Sequence, residues 1–429
     1  MKAARTAVLG AVLAAAAAAA AAACVERMTA PGNCPDYCPG GQITLIDSLL
    51  ATSISRDSAF RGYVLPNQGA VMLAADLPGI VDSRAIFRFS AVGQRFPIKN
   101  SDTTTGAILA GDSARLTFFI TRRDTAAHDL TVRLYRLPIA IDTTTTFADL
   151  SQAFTDSLLR TVNLDTLIAK PGRVDSTTGD SIVVDTTNKR LFVSLKLDSS
   201  QARYVFADSG KVAYGLRISA DSLASVAIGK GDLGPLLRWH IVVDSLGTQV
   251  KRPDSTMAGP SARGTPLATF VFAPPAAALD STLAVGGVPS ARSILRVAFP
   301  RGIRDSGQII RGTLILVPAA AARGVPADSF VIEAHTVFAD FGAKSPIVLD
   351  VTRTDTTVIH VDSTDTIQIE ITNLLKFWQT DTTLATTLVL KAKYEAQAFP
   401  EIRFYPSAAA AYRPAVRITY VPRYPFGKQ

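Results

Sequence analysis

The sequence predicts an all-β fold of two tandem antiparallel β-sandwich (jelly-roll-like) domains, and three observations predict it. The first is alternation with period two. Leu130-Thr131-Val132-Arg133-Leu134-Tyr135, Leu191-Phe192-Val193-Ser194-Leu195-Lys196-Leu197 and Thr366-Ile367-Gln368-Ile369-Glu370-Ile371 place apolar side chains at every second position. A strand that alternates this way turns one face to a core and one to water, the habit of antiparallel sheets. The second is punctuation: Asp-Ser, Asp-Thr and Gly turn signals separate many of these runs. The third is an internal repeat.

Arg84-Ala85-Ile86-Phe87-Arg88-Phe89 and Arg292-Ser293-Ile294-Leu295-Arg296-Val297 share the pattern Arg-x-Ile-apolar-Arg-apolar. Each is followed by a second expected strand, at 114–120 and 312–317, then by an alternating strand after an aspartate, at 129–137 and 328–337. Near each end come two more strands: 215–218 and 236–242 in the first half, 387–391 and 415–421 in the second. The common order argues for two copies of one β domain. Helical periodicity is scarce, and the best candidates are 146–161 and 373–378.

With 429 residues, 48% of them hydrophobic and 19% charged, the chain can bury a large core, which excludes disorder along its whole length. The expected organisation is a signal peptide at 1–23, a tether at 24–44, a first sandwich at 45–250, a linker at 251–270 and a second sandwich at 271–424. The linker reading rests on Pro253, Gly259, Pro260 and Gly264 with little apolar content around them.

The N-terminus reads as a secretory signal: Lys2 and Arg5, an apolar stretch from Ala7, an alanine run from Ala14 to Ala23, then Cys24. The run is short and weakly apolar for a membrane span. Ala21-Ala22-Ala23-Cys24 resembles the lipobox of bacterial lipoproteins. The resemblance implies cleavage before Cys24, a diacylglycerol on its thiol, export, and anchoring of the chain to the outer membrane or cell envelope through that lipid. Val25 in place of aspartate implies the outer membrane by the same analogy.

The net charge is +8, but no basic run exceeds a pair such as Arg122-Arg123. Basic residues instead alternate with apolar ones, as on the wet face of a strand, so nucleic acid is not an expected partner. Apart from Cys24 the cysteines are Cys34 and Cys38, in Asn33-Cys34-Pro35-Asp36-Tyr37-Cys38-Pro39-Gly40-Gly41. In an oxidising compartment they read as a disulfide knuckle; a metal site and free thiols are the open alternatives.

Three further stretches carry a family likeness. Ser83 to Phe89 resembles the early Ser-Arg-Ala-Leu-Leu-Arg-Phe strand of DNRLRE-type domains, β-sandwiches related to carbohydrate-binding modules. Ile369 to Trp378 is similar to their late strand and helix with a core tryptophan. Phe404-Tyr405-Pro406-Ser407 and Arg413-Pro414-Ala415-Val416-Arg417-Ile418-Thr419-Tyr420 resemble their closing strands. The resemblance implies a sandwich fold and glycan binding.

Candidate chemistry is sparse. Trp239 and Trp378 sit in apolar surroundings and are expected in the core. His360-Val361-Asp362 puts two ligand types on one strand face without a third, so it reads as a solvated edge. Asp208-Ser209-Gly210 and Asp305-Ser306-Gly307 occupy different places in the two copies, which argues against a paired-carboxylate protease. No catalytic motif is present, and no enzyme activity is expected. The Asp/Thr-rich stretches at 101–105, 142–146, 175–180 and 354–357 read as hairpin loops. Structural calcium is their alternative, although no D-x-[DN]-x-[DN]-G loop supports it; no cofactor or metal is expected.

Tyr394, Tyr405 and Tyr412 are the candidate ligand-binding side chains, because aromatic faces stack on sugar rings. The expected function is a non-catalytic binding module for polysaccharide or cell-envelope glycan. The alternative is a structural or assembly lipoprotein that binds another envelope protein.

Overall fold

The computed structural model describes residues 45–422 apart from 63, 92–94, 98–104, 203, 205–210, 246–247, 254–265, 274–280, 326–327 and 343–346. The signal, Cys24, Cys34 and Cys38 therefore lie outside the described residues. Strands take 52% of the structure and helices 10%, and every ladder is antiparallel, so the class is all-β as expected.

In chain order the strands are β1 (Ile46–Leu50), β2 (Ile54–Arg61), β3 (Val71–Leu77), β4 (Val81–Phe89), β5 (Arg95–Pro97), β6 (Thr105–Arg123), β7 (Thr131–Leu137) and β8 (Leu158–Asn163). Next come β9 (Ser181–Asp185), β10 (Arg190–Leu197), β11 (Val212–Ser219), β12 (Ala224–Gly229), β13 (Leu236–Ser245), β14 (Thr248–Pro253) and β15 (Leu267–Phe272). The remainder are β16 (Leu283–Gly286), β17 (Ala291–Val297), β18 (Gly307–Leu316), β19 (Ser329–Asp340), β20 (Ile347–His360), β21 (Ile367–Glu370), β22 (Thr387–Ala392), β23 (Glu401–Phe404) and β24 (Ala415–Pro422).

The pairing repeats. In unit 1, β4, β11, β7 and β8 pair in that order, β13 and β10 flank β6, and β3 pairs with β12. In unit 2, β17, β22, β19 and β20 pair in the same order, β24 and β21 flank β18, and β16 pairs with β23. The long β6 also pairs with β12 through its last residues, which joins the two layers of unit 1 into one curled sheet.

Two expected boundaries move. Unit 1 is closed by β14, which pairs with β13, and by β15, which pairs with β4. Unit 2 is closed by the start of the chain: β1 pairs with β24 and β2 with β17. Residues 46–61, expected in the first sandwich, thus belong to the sheets of the second. The expected linker 251–270 is strand at both ends, and β15 belongs to unit 1. The physical reason is visible in the residues. Leu267-Ala268-Thr269-Phe270-Val271-Phe272 is a short apolar β run with an open edge of β4 to cover. Arg61 and Asp57 tie β2 to unit 2, Arg61 through Glu401 and Asp57 by accepting the Ser407 amide.

Each unit has its own core between sheets. Phe87, Leu116, Phe118, Leu134, Tyr214 and Trp239 fill unit 1. Leu295, Leu314, Ile369, Leu390, Phe404 and Trp378 fill unit 2. Both tryptophans are buried, as expected from their apolar neighbours. A third cluster joins the units: Leu73, Leu77 and Phe270 pack with Val288, Val325 and Phe399.

The repeated arginines have a structural job. After β7 the chain folds back over the outer face of its sheet, and the second arginine of the motif fastens it there; in unit 2 the corresponding arginine holds the end of β19. Arg88 donates to the carbonyls of Ile139 and Ile141 at 3.0 and 2.9 Å. Arg296 grips the Asp340 carboxylate at 2.7 and 2.8 Å. Under the unit 1 cover, Ile86, Tyr135, Leu137 and Val271 meet Leu150 and Phe154. Burial on both faces explains why β15 is a near-continuous apolar run rather than a strict alternation.

Of the two expected helices, Asn373–Trp378 forms inside Thr372–Thr380, with Leu374, Leu375 and Trp378 on its buried side. Residues 146–161 give one turn, Ala153–Asp156, and then β8. The Asp/Thr stretches explain the shortfall. Asp142 accepts from the amides of Thr144 and Thr145, and Asp149 accepts from that of Thr146, so aspartates close turns on the backbone instead of starting a long helix. Asp175 does the same with Thr177 and Thr178. The stretch 354–357 is a correction: it lies within β20.

Candidate binding surface

The loop between β23 and β24 carries two of the three candidate tyrosines. It begins at the fully buried Phe404, which fixes its root in the unit 2 core. The Tyr405 amide donates to the Val317 carbonyl at 3.1 Å, and the Ala409 amide closes a turn on the Pro406 carbonyl at 3.1 Å. Tyr412 then takes a left-handed backbone conformation, φ +61°. Its ring is 63% exposed, and its centroid lies 5.5 Å from that of Tyr405 with the planes inclined by 37°. An aromatic residue adopts such a φ at a cost of about 1–2 kcal/mol, so the surroundings hold it there.

The same loop forms one wall of a cavity of about 450 Å³. Pro406 and Ala408 stand on one side, Asp57, Ser58 and Arg61 of β2 on another, and Ser281 and Thr282 before β16 on a third. Ser58 Oγ is buried and has no hydrogen-bond partner among the described residues. Arg61 is held in place by Glu401 at 2.6 and 2.9 Å. Burial would raise the Glu401 carboxyl, but the Arg61 and Arg403 guanidiniums outweigh it and keep the group below the usual carboxylate range.

The third candidate, Tyr394, is exposed but stands apart from this pair. It sits on the turn after β22, with the Lys393 ammonium 5.5 Å from its ring centre. That turn carries Gln397, whose carbonyl accepts Arg122 Nη2 of unit 1 at 2.6 Å. The structure thus joins Tyr405 to Tyr412 and leaves Tyr394 at the contact between units.

The histidines are placed as follows. His335 is buried, with its ring nitrogens 3.0 Å from the Asp350 carbonyl and from Glu333. His360 and Asp362 are exposed. Among the described residues no group of three His, Cys, Asp or Glu side chains could hold a metal ion. Asp305 and Ser306 end the short helix Arg301–Ser306, while 208–210 lies outside the described residues.

Sequence reasoning missed Asp57, Ser58 and Arg61. They precede the first copy of the repeat and were assigned to it by position.

No family model matches the chain, and no curated protein matches it. Among solved structures the chain is similar to one titled BspA_C_WT, at 10% identity and a TM-score of 0.15 over 83% of this chain and 88% of that one. So low a score carries no argument about fold or function.

Proposed function

We propose that the chain is a non-catalytic, envelope-anchored lipoprotein whose unit 2 binds polysaccharide or a cell-envelope glycan. One observation carries the reading: the exposed Tyr412 ring, braced by Tyr405, on the loop that walls a polar cavity. A pyranose has a C–H face that stacks on an aromatic plane and hydroxyls that need directional partners. Arg61, Asp57, Ser58, Ser281 and Thr282 supply donors and acceptors within that one cavity. The lipobox-like leader supports anchoring through Cys24, and the two chains of a diacylglycerol suffice for stable attachment.

The test is affinity electrophoresis of the full chain, in detergent, through gels holding neutral or anionic polysaccharides. Retardation by one glycan is expected, reversed by its free oligosaccharide and insensitive to moderate salt. Tyr412→Gly should abolish it without unfolding the protein, because glycine accepts the positive φ. Retardation that vanishes in salt would report only the net positive charge and would reject the reading. Cys24→Ser should release the protein from membranes.

A second reading, binding to another envelope protein, has its own observation. The ribbon of β19 and β20 turns Phe338, Phe341, Val348 and Val351 outward, with Phe341 68% and Val351 73% exposed. Apolar side chains of this size left in water suit contact with a partner protein. Retardation by none of the glycans would favour this reading.

A further inference from the structure

Each unit carries a cavity against its closing edge strand. Across β17, Arg296 faces Arg56 and Ala291 faces Arg61. Across β4, the corresponding Arg88 faces Leu267 and Ser83 faces Phe272. The register therefore equates Asp57, Ser58 and Arg61 of β2 with Ala268, Thr269 and Phe272 of β15. The first three line the unit 2 cavity, and Thr269 to Phe272 line a cavity of about 380 Å³ in unit 1. We infer that this unit 1 cavity is a second binding site, for a sugar residue of low polarity such as a deoxy or N-acylated hexose. The inference rests on the glycan reading and adds a site to it.

The lining sets the ligand class. Where unit 2 presents Arg61, unit 1 presents Phe272, and no residue lining the unit 1 cavity is charged. Phe147, Phe272, Leu65 and Pro66 offer apolar surface, while Thr143, Thr145, Thr146 and Asn67 offer a few polar groups. The volume lies within the range of small-ligand sites, about 300–1,000 Å³. A fully hydroxylated hexose would leave hydroxyls unpaired against these walls, whereas a methyl or acetyl group finds apolar contact.

Both movable walls are held. Lys230 Nζ donates to the carbonyls of Pro66, Asn67 and Gly69 at 2.9, 3.2 and 2.9 Å, which pins the crossover from β2 to β3. The Arg84 guanidinium lies 4.1 Å from the Phe147 ring centre and fixes that side chain. A site whose walls are already ordered avoids the cost of ordering them on binding.

Saturation-transfer difference NMR on the full chain tests this, with N-acetylglucosamine and L-rhamnose as probes and D-glucose as the control. Transfer to the acetyl and deoxy methyl protons is expected, with little to glucose. Leu65→Glu places a charge on the exposed cavity wall and should weaken both probes by about tenfold or more at unchanged thermal stability. Tyr412→Gly should leave the transfer intact. No transfer in the native chain, or equal transfer in Leu65→Glu, overturns the inference. Transfer lost only in Tyr412→Gly also overturns it, while leaving the unit 2 reading in place. Absence of polysaccharide retardation in the native chain, with transfer retained, rejects the unit 2 reading and supports this site.

Discussion

Arg61 and Glu401, 340 positions apart in the chain, form a two-bond ion pair of 2.6 and 2.9 Å that fastens β2, near the start of the described residues, to β23 of unit 2. Glu401 is nearly buried and also accepts Arg403 at 2.7 Å, so it keeps one partner if Arg61 is removed. Arg61 is one-third exposed, and the solvent it meets discounts the pair. Arg61→Ala should therefore cost about 1–2 kcal/mol, less than the loss of a wholly buried partner. Urea unfolding monitored by the buried Trp378 of unit 2 measures it. Glu401→Gln should cost more, because two guanidiniums lose their charged acceptor.

The closure of unit 2 by β1 and β2 predicts an asymmetric truncation. Removing residues 1–61 strips the edge partners of β24 and β17 and takes Ile54 out of the unit 2 core. Unit 1 keeps both its closing strands, β14 and β15. Hydrogen exchange should show β17, β22 and β24 losing protection while β4, β7 and β11 keep theirs. Equal loss in both units would refute the division drawn from the strand pairing.

Much of this architecture could be read from the residues, and the part that could not has a physical cause. Period-two alternation located β7, β10 and β21, and the Arg-x-Ile-apolar-Arg motif located β4 and β17, because a side chain's face follows directly from its position along a strand. Which strand covers which edge does not follow from local pattern. β2 and β15 satisfy equivalent edges, and the choice rests on partners hundreds of residues away, such as Glu401 for Arg61. Tyr405 and Tyr412 were legible as aromatics near a closing strand; Tyr412 is exposed and Tyr405 half-buried. The walls of the cavity beside their loop were not legible, since Asp57 and Ser281 approach only when β2 joins unit 2.

Lys230 should control the crossover between units. Its ammonium donates to three backbone carbonyls, bonds that a neutral side chain cannot replace. Lys230→Met keeps the stem and removes the donors. The expected result is faster hydrogen exchange in residues 64–70 and a stability loss of about 1–3 kcal/mol, the cost of leaving part-buried carbonyls unpaired. Unchanged exchange in that loop would show that packing of Gly69 against the Ala396 backbone is enough to hold it.

The Arg296–Asp340 pair predicts how unit 2 responds to acid. Two bonds from Arg296, set against the opposing effect of burial and aided by the Gly342 amide and the Thr387 hydroxyl, hold the Asp340 carboxyl at about 2, against an ordinary value of 3.8. A carboxyl depressed in the native state binds its proton more readily when unfolded. Its contribution is therefore complete above pH 3.8 and drains away as pH falls towards 2. The shift corresponds to about 2 kcal/mol, with both side chains largely shielded from solvent. Asp340→Asn should lower stability by roughly that amount at pH 7 and by much less at pH 2, since protonated aspartate and asparagine are then alike in charge. Denaturant titrations of both proteins at the two pH values measure the difference. A penalty that did not shrink in acid would mean that Asp340 fastens the β19 ribbon by shape and neutral hydrogen bonds rather than by its charge.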